Sequence, residues 1–366
     1  MVYESFERME QFMTLAFEAV GVPAQDAATC AAVLIESDKR GIDSHGLARF
    51  KPVYIDRILE GIQAPVTNFE IVRQGPTTAV VDGHDGMGHV IGVKSMELAI
   101  DKARQFGMGM VAVRNSTHYG IAGYYAAMAA DAGMIGITGT NARPSIAPTF
   151  GVENMLGTNP LTIGLPTDED FHFVLDCATS VSQRGKIEHY ARTGKQMPEG
   201  WVIDTAGRPV TDPEAALAGL GKGTCALTPL GGIGEEMGGY KGFGYATAVE
   251  ILSAALQSGI FLKALNGIGP DGKQNPYHLG HFFIAIDIGA FVEVEEFKRT
   301  SGEILRGLRA SAKAPDKERI YTAGEREYLA YLERRETGIP LNRAVQKTLQ
   351  EARDELGIDF KFVWEY

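Results

Sequence analysis

The sequence predicts an α/β protein with helical ends, on three observations. Apolar residues recur at helical spacing through the first 60 residues, short apolar or alternating runs separate helical stretches from Asn68 onward, and a charged helical pattern returns after Val292. Phe6, Met9, Met13, Phe17 and Val20 recur at three- and four-residue steps and define the first helix, which Gly21-Val22-Pro23 ends. A second helix covers residues 24–39. A third follows Ser44-His45, with Phe50, Val53, Tyr54, Ile58 and Leu59 on one face and Gly61 as its stop. Strands are expected at 78–81, 110–113, 135–138, 161–165, 171–175 and 281–288. Helices are expected at 89–106, 120–132 and 243–257, with glycine-rich connections dominating 219–244.

At 366 residues the chain suggests two lobes around one or two cores, and its 45% hydrophobic and 22% charged residues are those of a globular protein. A formal charge of −11 disfavours nucleic acid or an anionic membrane as partner, since binding either relies on clustered Lys and Arg. The three cysteines, Cys30, Cys177 and Cys225, are widely spaced and odd in number, which argues against a disulfide framework or a paired-cysteine zinc site. The segment from Met1 to Arg8 is acidic where a signal peptide needs a basic start, and no run approaches the roughly 20 apolar residues of a membrane span. A cytoplasmic protein is the expectation.

Gly86-Met87-Gly88-His89-Val90-Ile91-Gly92 follows a strand and opens a helix, as a phosphate-cradling loop would. It fails on detail: the third glycine is one residue late, and the next strand ends in Arg114-Asn115 rather than an acid for the ribose. A tight turn before a surface helix fits better. Walker loops, zincin motifs and nucleophile elbows are absent.

Two histidines carry chemistry. In Asp43-Ser44-His45-Gly46-Leu47-Ala48-Arg49, Ser44 can cap a helix, and Arg49 projects about one turn beyond His45. A guanidinium suits a carboxylate, and an adjacent histidine can exchange a proton with an alcohol or carbonyl. Taken alone, the segment reads more readily as an ordinary capped helix, since such helical proximity is common. In Asn115-Ser116-Thr117-His118-Tyr119-Gly120, a strand ends in polar residues and places His118 at a carboxyl edge, where α/β proteins bind ligands. An incidental histidine in a polar loop is the alternative. His84, His89, His172, His189 and His278 have no such neighbours and read as surface or satisfied histidines.

Together these segments resemble the type-2 malate/L-lactate dehydrogenase family, which lacks the Rossmann fold. The matching motifs run in the family's order: Asp43-Ser44-His45-Gly46 with Arg49, Ser116 to Gly120, Leu156-Gly157-Thr158-Asn159-Pro160, Asp176-Cys177-Ala178-Thr179-Ser180 and Lys241-Gly242-Phe243-Gly244. The resemblance implies a large, mostly antiparallel sheet with flanking helices, a helical lobe from both chain ends (1–75 plus 293–366) around an α/β region (76–292), and a homodimer. It implies hydride transfer between NAD, or alternatively NADP, and a small 2-hydroxy acid. Malate comes first; lactate, sulfolactate, ureidoglycolate and keto or imino acid reduction are the alternatives.

By the same resemblance, His118 and His45 are the proton-transfer histidines, while Ser44, Arg49, Gly280 and His281 bind substrate. Thr140, Asn141, Thr158, Asp176, Cys177, Ala178, Thr179 and Lys241 line the nicotinamide nucleotide site. Gly324 and Glu325 join them, in Ala323-Gly324-Glu325 where the family often has Pro-Gly-Glu. Taken singly, Asp176 could merely end a strand and Lys241 cap a turn. Two rival classes are a metal-dependent hydrolase with His45, His118 and Asp176 as ligands, and a non-catalytic dimeric binding protein.

Overall fold

A computed structural model describes residues 2–365. The chain begins with β1 (Val2–Glu4), α1 (Phe6–Ala19) and α2 (Ala24–Lys39). A continuous helical stretch then joins α3 (Leu47–Arg49), a π-helical turn (Phe50–Ile55) and α4 (Asp56–Leu59). The central region runs β2 (Glu70–Gln74), β3 (Thr78–Asp82), α5 (Gly88–Phe106), β4 (Met108–Ser116), α6 (Ala122–Asp131), β5 (Met134–Thr140), β6 (Leu161–Leu165) and β7 (Phe173–Cys177). There follow α7 (Arg184–Thr193), β8 (Val202–Asp204), α8 (Pro213–Lys222), β9 (Cys225–Leu227), α9 (Gly239–Ala254) and β10 (Leu279–Asp287). The chain closes with α10 (Val294–Ala310), α11 (Glu325–Thr337), β11 (Ile339–Leu341) and α12 (Arg343–Leu356).

Seven strands form the main sheet in the order β2-β3-β4-β10-β5-β6-β7, and only β3 and β4 run parallel. The large, mostly antiparallel sheet implied by the resemblance is therefore present. Its central strand, β10, comes from late in the sequence and is antiparallel to both neighbours, with Leu279 opposite Ser116 and His281 opposite Thr140. One edge of the sheet thus collects the ends of β4 and β5 and the start of β10.

Among the described residues, three larger apolar cores and a small fourth one at Ala147, Ile203 and Ala226 hold the molecule. Against the sheet, α5 and α6 bury Ile91, Met96, Ile100, Tyr125 and Ala129 on Val81, Val111, Val113 and Phe283. The helical core joins Phe12, Phe17, Phe50 and Tyr54 to Ile339, Leu341, Leu349 and Phe362, and β1 pairs with β11. A smaller core packs Ile187, Met197, Trp201 and Leu227 around α7, α8 and the β8–β9 pair.

Several expectations change here. The helix after Gly86-Met87-Gly88 is no surface helix: His89, Ile91 and Met96 are fully buried, and a side chain at Gly88 would strike the carbonyls of Thr117 and His118. Residues 70–74, expected in the helical lobe, form the sheet's edge strand, fully exposed along its length. In the third helix Leu59 is exposed while Ile55 is buried, because the π turn shifts the apolar face. Pro52 lies inside that turn, and without an N–H it cannot complete a regular α-helical ladder.

Candidate active site

The two histidine segments, 73 positions apart by sequence, meet in space. The rings of His45 and His118 stack with centroids 6.0 Å apart and an interplanar angle of 23°. His118 lies two residues beyond the paired end of β4, and His45 in the loop between α2 and α3. That loop is built from below by Asp38. Its carboxyl accepts the Leu47 N–H at 2.8 Å, and any side chain at Gly46 would run into it. Burial pushes the Asp38 pKa up to about 8, so the carboxyl is largely protonated at neutral pH. The capping role expected of Ser44 thus falls to Asp38. Ser44 instead places Oγ 2.8 Å from His45 Nδ1 and its carbonyl 2.9 Å from Arg49 Nε. With Nε so held, the terminal nitrogens of Arg49 have no partner among the described residues.

Tyr54, read from sequence only as part of an apolar face, is a member of this site. Its hydroxyl lies 2.6 Å from His118 Nδ1, and its ring 4.6 Å from that of His89. The Gly120 amide also donates to Nδ1, at 3.2 Å. An amide can only donate, so the neutral ring carries its proton on Nε2, an assignment that follows from the bonding network. Nε2 itself has no partner among the described residues. Burial, together with His45, Arg57, His89 and Arg49, holds His118 well below the usual histidine range. Burial and Arg49 push His45 down to about 4. His89, read from sequence as surface or satisfied, is fully buried with neither ring nitrogen bonded.

The other expected site residues separate into groups. Asp176 accepts the Gly123 N–H at 2.7 Å and the Thr162 hydroxyl at 3.0 Å, on the wall of a cleft of about 1070 Å3. Gly324, Tyr124, His172 and Arg326 line the same cleft. Glu325 stands behind this wall, where it accepts the Thr322 N–H at 3.0 Å and pairs with Arg319. Thr158 and Thr179 brace each other, the Thr179 amide donating to the Thr158 carbonyl at 2.9 Å. Cys177 and Ala178 link that brace to Asp176 and are partly buried.

Thr140 and Asn141 are buried against the start of β10, with the Gly280 N–H donating to Asn141 Oδ1 at 2.8 Å. His281 is fully buried; its ring nitrogens lie 2.7 Å from Thr140 Oγ1 and 2.8 Å from Ser116 Oγ. Gly280 packs directly on the Ser253 carbonyl. The structure thus makes these two residues part of the sheet's bonding, with no His281 nitrogen left for a substrate, contrary to expectation. Lys241 is exposed on α9 and does not line the cleft. Among the described residues, no group of three or more His, Cys, Asp or Glu side chains is arranged to hold a metal ion.

The chain as a whole is similar to proteins of known name. A malate dehydrogenase of Pyrococcus horikoshii is 43% identical over 96% of this chain and 95% of its own. An L-sulfolactate dehydrogenase of Methanocaldococcus jannaschii is 40% identical over 93% of both. The crystal structure of malate dehydrogenase from Entamoeba histolytica superposes with a TM-score of 0.95 at 44% identity, covering 99% of each chain. The family described as malate/L-lactate dehydrogenase matches residues 5–350, and to that family the chain belongs.

Proposed function

We infer that this protein is a hydroxy acid oxidoreductase that transfers hydride between a nicotinamide cofactor and the carbinol carbon of a small 2-hydroxy acid, with malate foremost. The observation that carries this reading is the meeting of Arg49, His45, Tyr54 and His118 from separate segments around one unpartnered histidine nitrogen. Two relatives at 43% and 44% identity both bear the name malate dehydrogenase.

The cleft beside this site fits an elongated dinucleotide. A side chain at Gly123 would crowd Asp176 and Val174, and the buried Nδ1 of His172, on the cleft wall, has no partner. Asp176, Gly324 and the 140–141, 158 and 177–179 segments would hold the cofactor, which supplies the hydride acceptor or donor. NAD is the first assignment and NADP the alternative. Related enzymes carry either NAD(+) or NADP(+) in their names.

Arg49 binds the substrate carboxylate through its free guanidinium nitrogens. His118 exchanges the hydroxyl proton at Nε2. Oxidation needs that nitrogen to begin as a lone pair, so the ring first moves its proton to Nδ1, where the Tyr54 hydroxyl can accept the hydrogen bond and the Gly120 amide has to release it. His45 stacks over His118 and crowds it with a second ionisable ring. Alignment and charge complementarity are the protein's contributions to rate.

The working unit is a homodimer joined through α9. One line of that helix, Gly242, Ala246, Val249 and Ser253, is buried, yet Tyr240, Tyr245 and Ile251 on its other side are at least half exposed. A helix apolar on both faces belongs between two layers, and a second copy of this chain is the second layer. Lys241 is then available to the neighbouring copy. A reducing cytoplasmic setting suits the three free cysteines, and no described helix is long and apolar enough to cross a membrane.

The test is a screen at 340 nm of malate, lactate, sulfolactate and the corresponding 2-keto acids with each cofactor separately. Turnover of malate or oxaloacetate is expected. No turnover with any pair, together with stoichiometric zinc or iron in the purified protein, would favour the hydrolase instead.

A further inference from the structure

Two arginines outside the family-matching motifs lack a counter-ion here: Arg57 stands near His118, and Arg143 stands near Arg57. Arg57 lies in α4, one helical turn after Tyr54, and its guanidinium sits 4.5 Å over the ring of Tyr277. Arg143 is exposed on the loop that follows β5. Of 46 acidic residues in a chain of net charge −11, none among those described forms an ion pair with Arg49, Arg57 or Arg143. Arg57 feels Arg143 as a like charge and His118 feels both Arg57 and Arg49. Glu60, Tyr54 and Tyr277 are the opposing influences on Arg57, and none offers it a carboxylate contact within 4.0 Å.

Topology explains the convergence. His118, Tyr277 and Arg143 lie within three residues of Ser116, Leu279 and Thr140, the paired positions at one sheet edge. The ends of β4 and β5 are about 10 Å apart there, two strand spacings, a gap that long side chains can close. Asn141, bonded to the Gly280 amide at 2.8 Å, roots the Arg143 loop, and His278, 2.7 Å from Asp85, roots Tyr277. From the other side, the π turn sets the register. Six residues at about 4.4 per turn bring Arg57 back to within about 30° of Arg49, where an unbroken α-helix would leave it about 80° away. Both arginines therefore lie along the helix face that carries Tyr54 to His118.

We propose that Arg57 and Arg143 form a second anion subsite, separate from Arg49, that binds the distal acidic group of a dianionic 2-hydroxy acid and selects it over a monoanionic one. This assignment rests on the hydride-transfer reading above. With the carboxylate beside the carbinol on Arg49 and the hydroxyl at His118, a carboxylate or sulfonate one methylene further on reaches toward the two unpaired guanidinium groups. A methyl group there, as in lactate, leaves both cations without a partner.

The experiment compares kcat/KM for oxaloacetate and pyruvate in the wild type, Arg143→Leu, Arg143→Lys and Arg57→Leu. Arg143 is exposed, so its replacement leaves the fold intact. The oxaloacetate-to-pyruvate ratio is expected to fall at least 30-fold in Arg143→Leu, mainly through KM for oxaloacetate, and to recover in part in Arg143→Lys. An unchanged ratio, or equal losses on both substrates, would overturn the proposal. Calorimetric binding of succinate and butyrate, with and without bound NADH, tests the subsite apart from turnover. At least a tenfold preference for succinate that disappears in Arg143→Leu supports the subsite; no preference in the wild type refutes it. Absence of turnover on both keto acids would instead remove the hydride-transfer reading, with the succinate comparison still deciding the subsite.

Discussion

At the residue scale, the chemistry open to His118 is defined by what surrounds it. Tyr54→Phe removes the hydroxyl on His118 Nδ1 and leaves the ring packing in place. We expect kcat to fall by about 10- to 100-fold with KM for the acid nearly unchanged, since the change affects the proton's path rather than the carboxylate. A comparable rise in KM with kcat preserved would assign Tyr54 to binding instead. Because burial and neighbouring cations depress the His118 pKa, the ring is neutral at pH 7. Reduction of a keto acid, which needs the protonated ring, should therefore speed up as pH falls below 7, while kcat/KM for oxidation should stay level between pH 6.5 and 8. A pH–rate profile in both directions checks this; an oxidation limb that falls with a midpoint near 7 would contradict it.

Local chemistry also explains which site residues could be read in advance. Turn and charge motifs mark Ser44, His45, Arg49 and His118 in the sequence, and the fold brings these four together. Tyr54 was hidden among apolar neighbours, and Asp38 gave no sign that it, rather than Ser44, would hold the Leu47 amide. Its carboxyl occupies the space a Gly46 side chain would need.

At the element scale, periodicity served where each segment has one buried face. Helix α2 and strand β6 fall on the ranges read from sequence, and α5 and β10 differ by only one or two residues. It failed in two situations. Edge strand β2 is exposed on both faces and so shows no alternation to read, and the short β8 and β9 are too brief to carry a period. The π turn is the second. Pro52 was its visible sign, but the resulting shift of the apolar face from Leu59 to Ile55 follows from the altered turn.

Helix α9 gives this scale its test. Tyr245→Glu combined with Ile251→Glu places charge on the exposed apolar face and leaves the buried line of Gly242, Ala246 and Val249 untouched. Light scattering is expected to report a dimer for the wild type and a monomer for the double variant. A wild-type monomer would refute the dimer, and an unaffected dimer in the double variant would move the interface elsewhere.

At the scale of the whole molecule, acid sensitivity is built into the core. Burial pushes His89 and His281 down to about 3, and both are fully inaccessible. Unfolded chains bind these protons below about pH 6.5 whereas the folded protein does so only near pH 3, so stability is lost progressively as pH falls between those values. The melting temperature should drop by about 5 °C or more from pH 7 to pH 5. A flat melting temperature across that interval would mean that compensating carboxylates dominate.

The overall layout was legible only through the resemblance, because no local pattern reveals that a strand from residues 279–287 enters the middle of a sheet made by residues 70–177. Pairings so distant in sequence leave no local period.

The pairing of β1 with β11 has a consequence for how the protein is made. Phe12, Phe17, Phe50 and Tyr54 complete their packing only against Ile339, Leu341, Leu349 and Phe362. During synthesis, the segment bearing Arg49 and Tyr54 therefore leaves the ribosome some 300 residues before its packing partners, at about 5–20 residues per second. For that interval, on the order of 15 to 60 seconds, the nascent chain carries the helical stretch of Arg49 and Tyr54 on an unfinished lobe. The apolar surface of that lobe is not fully covered until the last tenth of the chain has emerged.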